Sequence, residues 1–382
     1  MKRKNLFSFL LLLGLLVLLG LIFMAFYRPP RPANPTFTNV SQVRAVRVDY
    51  LDESRSRDEV DSLETELQKA GVNLVALGAG RAEWTYFPWP GHPERWSDEV
   101  KTTGHDYLLE DSTRFGKWAN VSAVVDVLGP LYIQAHPEAA SISSAGVPSP
   151  NLVASMELVD GQYGQTLLDM IDEIATYYPV NSITLSELAY YVDGFGPQDL
   201  AAYSAYTGKS EWPRRADGSI DIDDASIGNW RTYELGIFLD KATALAHDHG
   251  KQLYLEVRIE VSPAGQVIVE NGTNYAELIK HVDRLVVRGS NAEEGRNPAA
   301  MEAIARYLKS YDQNRIILAI GLWDQDYTYG TPKDEMHSVS PAEFQYALEA
   351  AGRGGAGNLW VTPSFLMTTQ HWEVLDIYWT DK

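Results

Sequence analysis

Short runs rich in β-branched and aliphatic residues alternate along this chain with stretches whose apolar positions recur at helical spacing. The runs are Arg44–Leu51, Asn73–Gly80, Val121–Leu128, Ser182–Glu187, Gln252–Glu260, Arg284–Gly289, Arg315–Trp323 and Asn358–Ser364. Each has the length and bounding residues of a strand. The stretches between them carry helix end signals. Ser340-Pro341-Ala342-Glu343 supplies an N-cap, a first-turn proline and a capping-box glutamate ahead of a helix that stops near Gly352. A second helix covers Trp230 to His249 and ends at Gly250. Eight strand–helix alternations predict parallel βα units closed into an α/β (β/α)8 TIM barrel, with an open doubly wound sheet as the weaker alternative.

Connection lengths support the barrel independently. Helix-to-strand links are short, as at Gly71-Val72, Pro179-Val180-Asn181 and Gly250-Lys251. Strand-to-helix links are long: Arg81–Thr103, Gly129–Asp160, Leu188–Ile227 and Asp324–Val339. In a βα barrel all the long links emerge at the C-terminal face, where such enzymes keep their sites.

The first residues follow another pattern. Leu6 to Phe26 is an almost unbroken apolar run of about 21 residues, enough to cross a hydrocarbon core of roughly 30 Å as a helix. Lys2, Arg3 and Lys4 precede it and favour a cytoplasmic N-terminus. The expectation is a retained single-pass anchor over residues 1–27, with a cleaved signal peptide as its rival. Residues 28–42, opening on Arg-Pro-Pro-Arg-Pro-Ala-Asn-Pro, read as a semi-rigid spacer. The barrel then occupies 43–382, outside the cytoplasm at the cell surface or in the periplasm.

Charge narrows the partners. Five of the 32 basic residues fall in the first 31 positions, which leaves 27 against 51 acids and a formal charge near −24 for the rest. Such a surface repels nucleic acid, so none is expected as a partner. The chain has no cysteine, which removes disulfides, thiolate metal sites and Cys nucleophiles together. The eight histidines show no ligand spacing, and neither metal nor cofactor is expected.

Strand alternation assigns the lumen. Tyr254, Glu256, Arg258 and Glu260 share one face of the fifth run, opposite Leu253, Leu255, Val257 and Ile259, and so point inward. Arg47 and Asp49 lie near the end of the first run, Asp126 of the third and Arg288 of the sixth. Charges in a lumen must be paired or used, and Arg47–Asp49 and Glu256–Arg258 are candidates for plain structural pairs. The fourth run ends in Glu187, which alternation sets on the face of Leu185 rather than of Thr184, so it must reach a cleft from the rim. The long loops add Trp84, Tyr86, Trp89, Trp96, Tyr132, Tyr190, Tyr191, Tyr203, Tyr206, Trp212, Trp323, Tyr327 and Tyr329. Flat rings with polar edges suit sugars, although aromatics also build local cores in long loops.

From about Arg44 to Phe365 the chain resembles the glycoside-hydrolase-like TIM-barrel families, related to hydrolase-like domains of bacterial exopolysaccharide machinery. The resemblance rests on the strand Val121–Leu128, the segment His136-Pro137-Glu138, the turn at Gly146, the helix Leu167–Tyr178 and the motif strand Asn181–Glu187. Leu200–Gly208 and Trp230-Arg231 extend it. The chain departs from the pattern at Asn181, where the family has Asp, and at Ser186-Glu187, which replaces an acidic pair. It departs again at Arg288, where the pattern has an amide or aromatic.

The resemblance implies a glycoside hydrolase acting on a polysaccharide or oligosaccharide of a cell surface or the environment, which the run Leu6–Phe26 would anchor in the membrane. On that reading Glu187 is the general acid, its pKa raised by burial among Tyr190 and Tyr191, and Glu256 is the nucleophile or base. Asp49 and Asp126 stand in reserve. Trp84, Trp89, Tyr191, Arg258, Arg288, Trp323 and Asp324 would hold substrate. The alternative is a non-catalytic barrel that binds glycan or scaffolds an envelope complex. A third reading, an enzyme acting on a phosphorylated metabolite, lacks a Gly-rich phosphate cradle near the seventh and eighth runs.

Overall fold

In a computed structural model of the chain, the eight runs form eight parallel strands. They are β1 (Arg44–Val48), β2 (Leu74–Arg81), β3 (Asn120–Asp126), β4 (Ser182–Ser186), β5 (Gln252–Arg258), β6 (Arg284–Arg288), β7 (Ile316–Gly321) and β8 (Leu359–Thr362). Each pairs with its neighbours in chain order, and the ring closes because β1 pairs with both β2 and β8. At the closure Ala45 lies opposite Leu74 on one side and Trp360 on the other. The structure describes residues 42–49, 57–188, 190–261, 268–270, 272–289, 297–324 and 335–380, with Gly295 and Asp326. The expected anchor Leu6–Phe26 and most of the Pro-rich spacer lie outside them. Among the described residues no helix is long and apolar enough to cross a membrane.

A helix follows every strand: α1 (Arg57–Lys69), α2 (Tyr107–Phe115), α3 (Gln162–Tyr177), α4 (Ala225–Asp248), α5 (Tyr275–Leu278), α6 (Ala300–Leu308), α7 (Pro341–Gly354) and α8 (Thr369–Thr380). The capping box at α7 forms as its sequence predicts. Ser340 Oγ accepts from Glu343 N at 3.3 Å, and Glu343 Oε2 accepts from Ser340 N at 3.0 Å. Gly355 ends that helix at φ 95°, a left-handed conformation that costs glycine little. Val46, Leu77, Val125, Leu185, Leu255, Val287 and Leu318 point outward from the strands and are buried under the helices. Each such side chain contributes roughly 1.5–3 kcal/mol through burial.

The elaborated connections all leave the C-terminal ends of strands. After β2, Trp84–Thr85 folds back antiparallel, with Gly80 opposite Thr85. Between β3 and α3 comes a hairpin of Ala140–Ile142 and Pro148–Val153. Between β4 and α4 a further helix, Pro197–Thr207, packs Tyr203 with Phe195, Trp212, Ile227 and Trp230 into a small core of its own.

Candidate active site

Alternation along the strands builds the upper lumen from charged residues. On β1 Ala45 is followed inward by Arg47, with Asp49 just past the strand; on β5 Tyr254 is followed by Glu256 and Arg258; on β6 Val286 is followed by Arg288. The guanidinium of Arg47 joins three carboxylates. Its Nε pairs with Asp49, its Nη2 lies 3.5 Å from Asp126 Oδ1, and its Nη1 lies 3.6 Å from Glu256 Oε2. Ser186, which shares the inward face of Thr184, donates its hydroxyl to Asp126.

Arg81 completes this group, and alternation alone does not find it. Leu74 and Ala76 face the lumen, so an unbroken strand would turn Arg81 outward. A register shift between Gly78 and Gly80 inserts one residue, sets Arg81 opposite Asp126, and brings Arg81 Nη2 to 3.9 Å from Asp126 Oδ2.

Glu187 reaches the same cluster through its backbone. Its φ of 63° makes it a non-glycine residue in the left-handed region. Such a conformation is uncommon and costs of order 1–3 kcal/mol. The strand's alternation ends there. The carboxylate therefore joins the lumen charges instead of following Leu185 outward. Arg258 Nη2 donates to Glu187 Oε2 at 2.5 Å, and Arg288 Nη1 donates to Glu187 Oε1 at 3.0 Å. The same Arg288 Nη1 lies 3.9 Å from Glu256 Oε1. The two facing carboxylate oxygens are thus no farther apart than the sum of those two distances to Arg288.

Surroundings push these two carboxyls in opposite directions. Burial alone would raise Glu187, but Arg288, Arg258 and Arg47 outweigh it and hold the group well below its ordinary range, at about 2. Glu256 is raised: burial dominates, Arg47 and Arg288 only partly compensate, and the negative charge of Glu187 adds to the rise. Its cation contacts, at 3.6 and 3.9 Å, are too long to be hydrogen bonds. Asp49 is raised by burial too, against the pull of Arg47. The side chain of Glu187 is 21% exposed and that of Glu256 4%, so Glu187 stands at the opening and Glu256 in the floor.

This geometry corrects the sequence expectation for Glu187. Its carboxyl is not raised, and the two tyrosines are not what surrounds it. Tyr190 hydroxyl donates to Val153 O at 2.9 Å, and Tyr191 hydroxyl donates to Asp223 at 3.1 Å.

The loop aromatics divide. Trp89 is 3% exposed, with its ring against His92 at 4.2 Å, so it is a core residue of its loop and offers no face to a ligand. Tyr190, Tyr203 and Trp212 are buried likewise. Trp84 and Tyr191 remain half-buried. Trp84 packs edge-on against Tyr86 at 4.4 Å. Trp323 is half-buried beside the charge cluster, with the Arg288 guanidinium 4.8 Å over its ring. Asp324, also half-buried, follows it, its N–H bonded to His337 O at 3.1 Å. Tyr327 and Tyr329 lie outside the described residues. His136, from the His-Pro-Glu segment, is well exposed, pairs with Glu138 at 3.5 Å and rests on the Tyr132 ring at 4.7 Å. Among the described residues no group of His, Asp or Glu is arranged to hold a metal ion.

No family model and no curated protein matches the chain. Solved structures do. The glycoside hydrolase domain of PgaB (BpsB) from Bordetella bronchiseptica superposes with a TM-score of 0.59 at 14% identity, over 88% of this chain and 98% of that one. The catalytic domain of the β-amylase from Paenibacillus polymyxa gives 0.55 at 11% identity, over 87% and 96%. The β-galactosidase from the psychrophilic Marinomonas ef1 gives 0.58 at 11%, over 88% of this chain and 59% of that one. At these identities the likeness establishes architecture, and the architecture is a glycoside-hydrolase-like TIM barrel.

Proposed function

We propose that this protein hydrolyses glycosidic bonds in a polysaccharide, with the chemical roles of its two carboxyls the reverse of those that the family resemblance implies. Glu187, ionised and at the opening, is the anionic partner of the oxocarbenium-like centre, as nucleophile of a retaining mechanism. Glu256, kept protonated more readily by its burial, gives its proton to the departing glycosidic oxygen. The observation that carries this reading is the pair itself: two carboxyls pushed apart in pKa and held against one Arg288 nitrogen at the C-terminal end of the barrel. The upper bound on their spacing admits the roughly 5–5.5 Å of retaining pairs and only the lower end of the roughly 6.5–9.5 Å of inverting ones. Trp84, Tyr191, Trp323, Asp324 and the partly exposed Arg258 supply stacking faces and polar contacts for sugar. The likeness to a glycoside hydrolase domain, a β-amylase and a β-galactosidase supports the substrate class.

One observation favours a second reading. Glu187 is bound by two arginines, and an acid so well neutralised is a weak nucleophile. A barrel that binds glycan without cleaving it would keep the same cluster as an ion-pair network. A glycan-array screen of the purified chain, followed by product analysis on each hit, separates the two. Cleavage with retained anomeric configuration is expected, and binding without any product would leave the binding module. The apolar run Leu6–Phe26 we assign as a retained anchor that keeps the barrel outside the cytoplasm. Carbonate-resistant fractionation with membranes is the expected result, and a secreted form starting between Arg28 and Phe37 the contrary one.

A further inference from the structure

At the mouth of the lumen the arginines are not equally engaged. Arg47 touches three carboxylates, and Arg288 touches Glu187 and Glu256. Arg258 touches one, through one nitrogen: its Nη2 pairs with Glu187 Oε2, the one ion pair it makes among the described residues. Its Nε, shielded from solvent, meets no hydrogen-bond acceptor among the described residues, a state that buried donors rarely keep. The side chain as a whole is nonetheless 36% exposed, more than the 21% of Glu187. A guanidinium carries five N–H donors in a fixed planar fork, so Arg258 brings to the opening donors that Glu187 does not use.

The balance of charge favours an anion on those donors. Arg47, Arg81, Arg258 and Arg288 face Asp49, Asp126, Glu187 and Glu256. When Glu256 holds its proton, four guanidiniums meet three carboxylates. Burial pushes Asp49 up as well, in the direction that widens the excess. Glu260, the next alternate position after Arg258, does not cancel it: it lies opposite Val269 in a separate two-stranded ribbon and is no ion-pair partner of Arg258.

Strand order sets an aromatic face close by. Arg258 on β5 and Arg288 on β6 are register partners, and Trp323 lies just past β7 with the Arg288 guanidinium over its ring. Three adjacent strands thus carry, in order, an underused cation, a doubly paired cation and a half-buried indole. At the backbone they spread over two strand spacings, or roughly 10 Å. A sugar ring against the indole can extend an exocyclic group across Arg288 toward Arg258.

We infer that this site selects an acidic sugar, a uronate whose carboxylate seats on Arg258 beside Glu187. The inference rests on the glycan reading above and narrows its substrate class. The acidic remainder of the chain, 51 acids against 27 bases past the first 31 residues, repels a dense polyanion. The polymer that fits therefore carries its uronates singly, spaced by neutral sugars.

The probes are oligosaccharides holding one glucuronate, galacturonate or mannuronate between neutral sugars, each beside the same molecule with its carboxylate reduced to an alcohol. Titration calorimetry on the full wild-type chain should find an acidic member whose affinity falls roughly tenfold or more on reduction, because a charge-assisted contact is lost. Added salt should weaken the acidic form more than the reduced one. Arg258→Gln should close most of the gap between the two forms. Arg258→Lys, which keeps a cation beside Glu187 without the planar fork, should leave an intermediate gap. Equal affinities in wild type, binding of neither form, or an undiminished gap in Arg258→Gln overturns the inference. Binding of the acidic form without cleavage would sink hydrolysis and keep the acidic subsite, whereas cleavage of neutral polymers alone would do the reverse.

Discussion

The lower and upper halves of the barrel lumen are built by the same strands and follow opposite rules. Below, Ala45, Leu74, Val124, Tyr254, Val286, Ile317 and Trp360 form an apolar plug, each no more than 2% exposed. One inward step higher, Arg47 succeeds Ala45, Asp126 succeeds Val124, Glu256 succeeds Tyr254 and Arg288 succeeds Val286. A step of two residues is about 6.6 Å, so the change from hydrocarbon to charge happens within one layer of side chains. The plug stabilises the fold by removing apolar area from water. The charges above it cost desolvation and are tolerated because each has an opposite charge near by. Stability and chemistry therefore occupy adjacent layers of one cylinder, which makes the two separable by substitution.

The plug should give the largest stability effect. Trp360→Ala empties the centre of the lower lumen, and closed strands cannot collapse into the space. A loss of about 3–5 kcal/mol is expected by chemical denaturation. Among the described residues no group accepts a hydrogen bond from the indole nitrogen, so the loss measures packing. Turnover per folded molecule should hold, and a matching loss of activity without a loss of stability would mean that the layers are not separate.

Glu187→Gln should come next, because it affects both properties. It strips Arg288 and Arg258 of their shared partner. Breaking a fully buried pair costs about 3–5 kcal/mol, and the partial exposure of Arg258 discounts that to roughly 2–3 kcal/mol. The sign with pH follows from a depressed folded value. The contribution is complete above the ordinary 4.5, and it fades as pH falls toward about 2. Denaturation of wild type and variant at pH 7 and at stepwise lower pH should show the difference shrinking. A difference that is constant down to pH 2 would return Glu187 to a merely packed role. Turnover should fall for all substrates alike.

How much of this layering was legible beforehand depends on where the period-two rule holds. It holds for β1, β3, β5, β6 and β8, and there the sequence identifies Arg47, Asp126, Glu256, Arg288 and the inward set around Tyr254. It breaks at two places. The Gly78–Gly80 irregularity in β2 turns Arg81 inward, and the left-handed Glu187 turns its carboxylate away from the face of Leu185. Both breaks supply members of the charge cluster. The pKa of Glu187 was misjudged for a related reason: burial was visible in the apolar context, while Arg258 and Arg288 approach from strands far along the chain. Trp89 is a core residue and not a binding face because a long loop's private core and a sugar platform use the same residue types.

The smallest stability effect and the sharpest mechanistic one should come from Glu256→Gln. The protonated form of this carboxyl resembles the amide in charge and shape, and burial favours that form. The sign is opposite to that of Glu187. Whatever stability the raised group contributes is present at low pH and is lost as pH rises through its folded value. The variant should therefore lie within about 1 kcal/mol of wild type, slightly more stable on the alkaline side. Its kinetics should not be so mild. A glutamine cannot hand over a proton, so hydrolysis of ordinary glycosides should fall by roughly 10²–10⁴-fold. Aryl glycosides with good leaving groups need little protonation and should lose far less. The alkaline limb of the wild-type pH–rate profile, which marks loss of that proton, should vanish with it. Both expectations depend on Glu256, and not Glu187, being the proton donor. If the leaving-group dependence appears in Glu187→Gln instead, the two roles must be exchanged, and the lowered pKa at the opening would then describe only the resting ion pair.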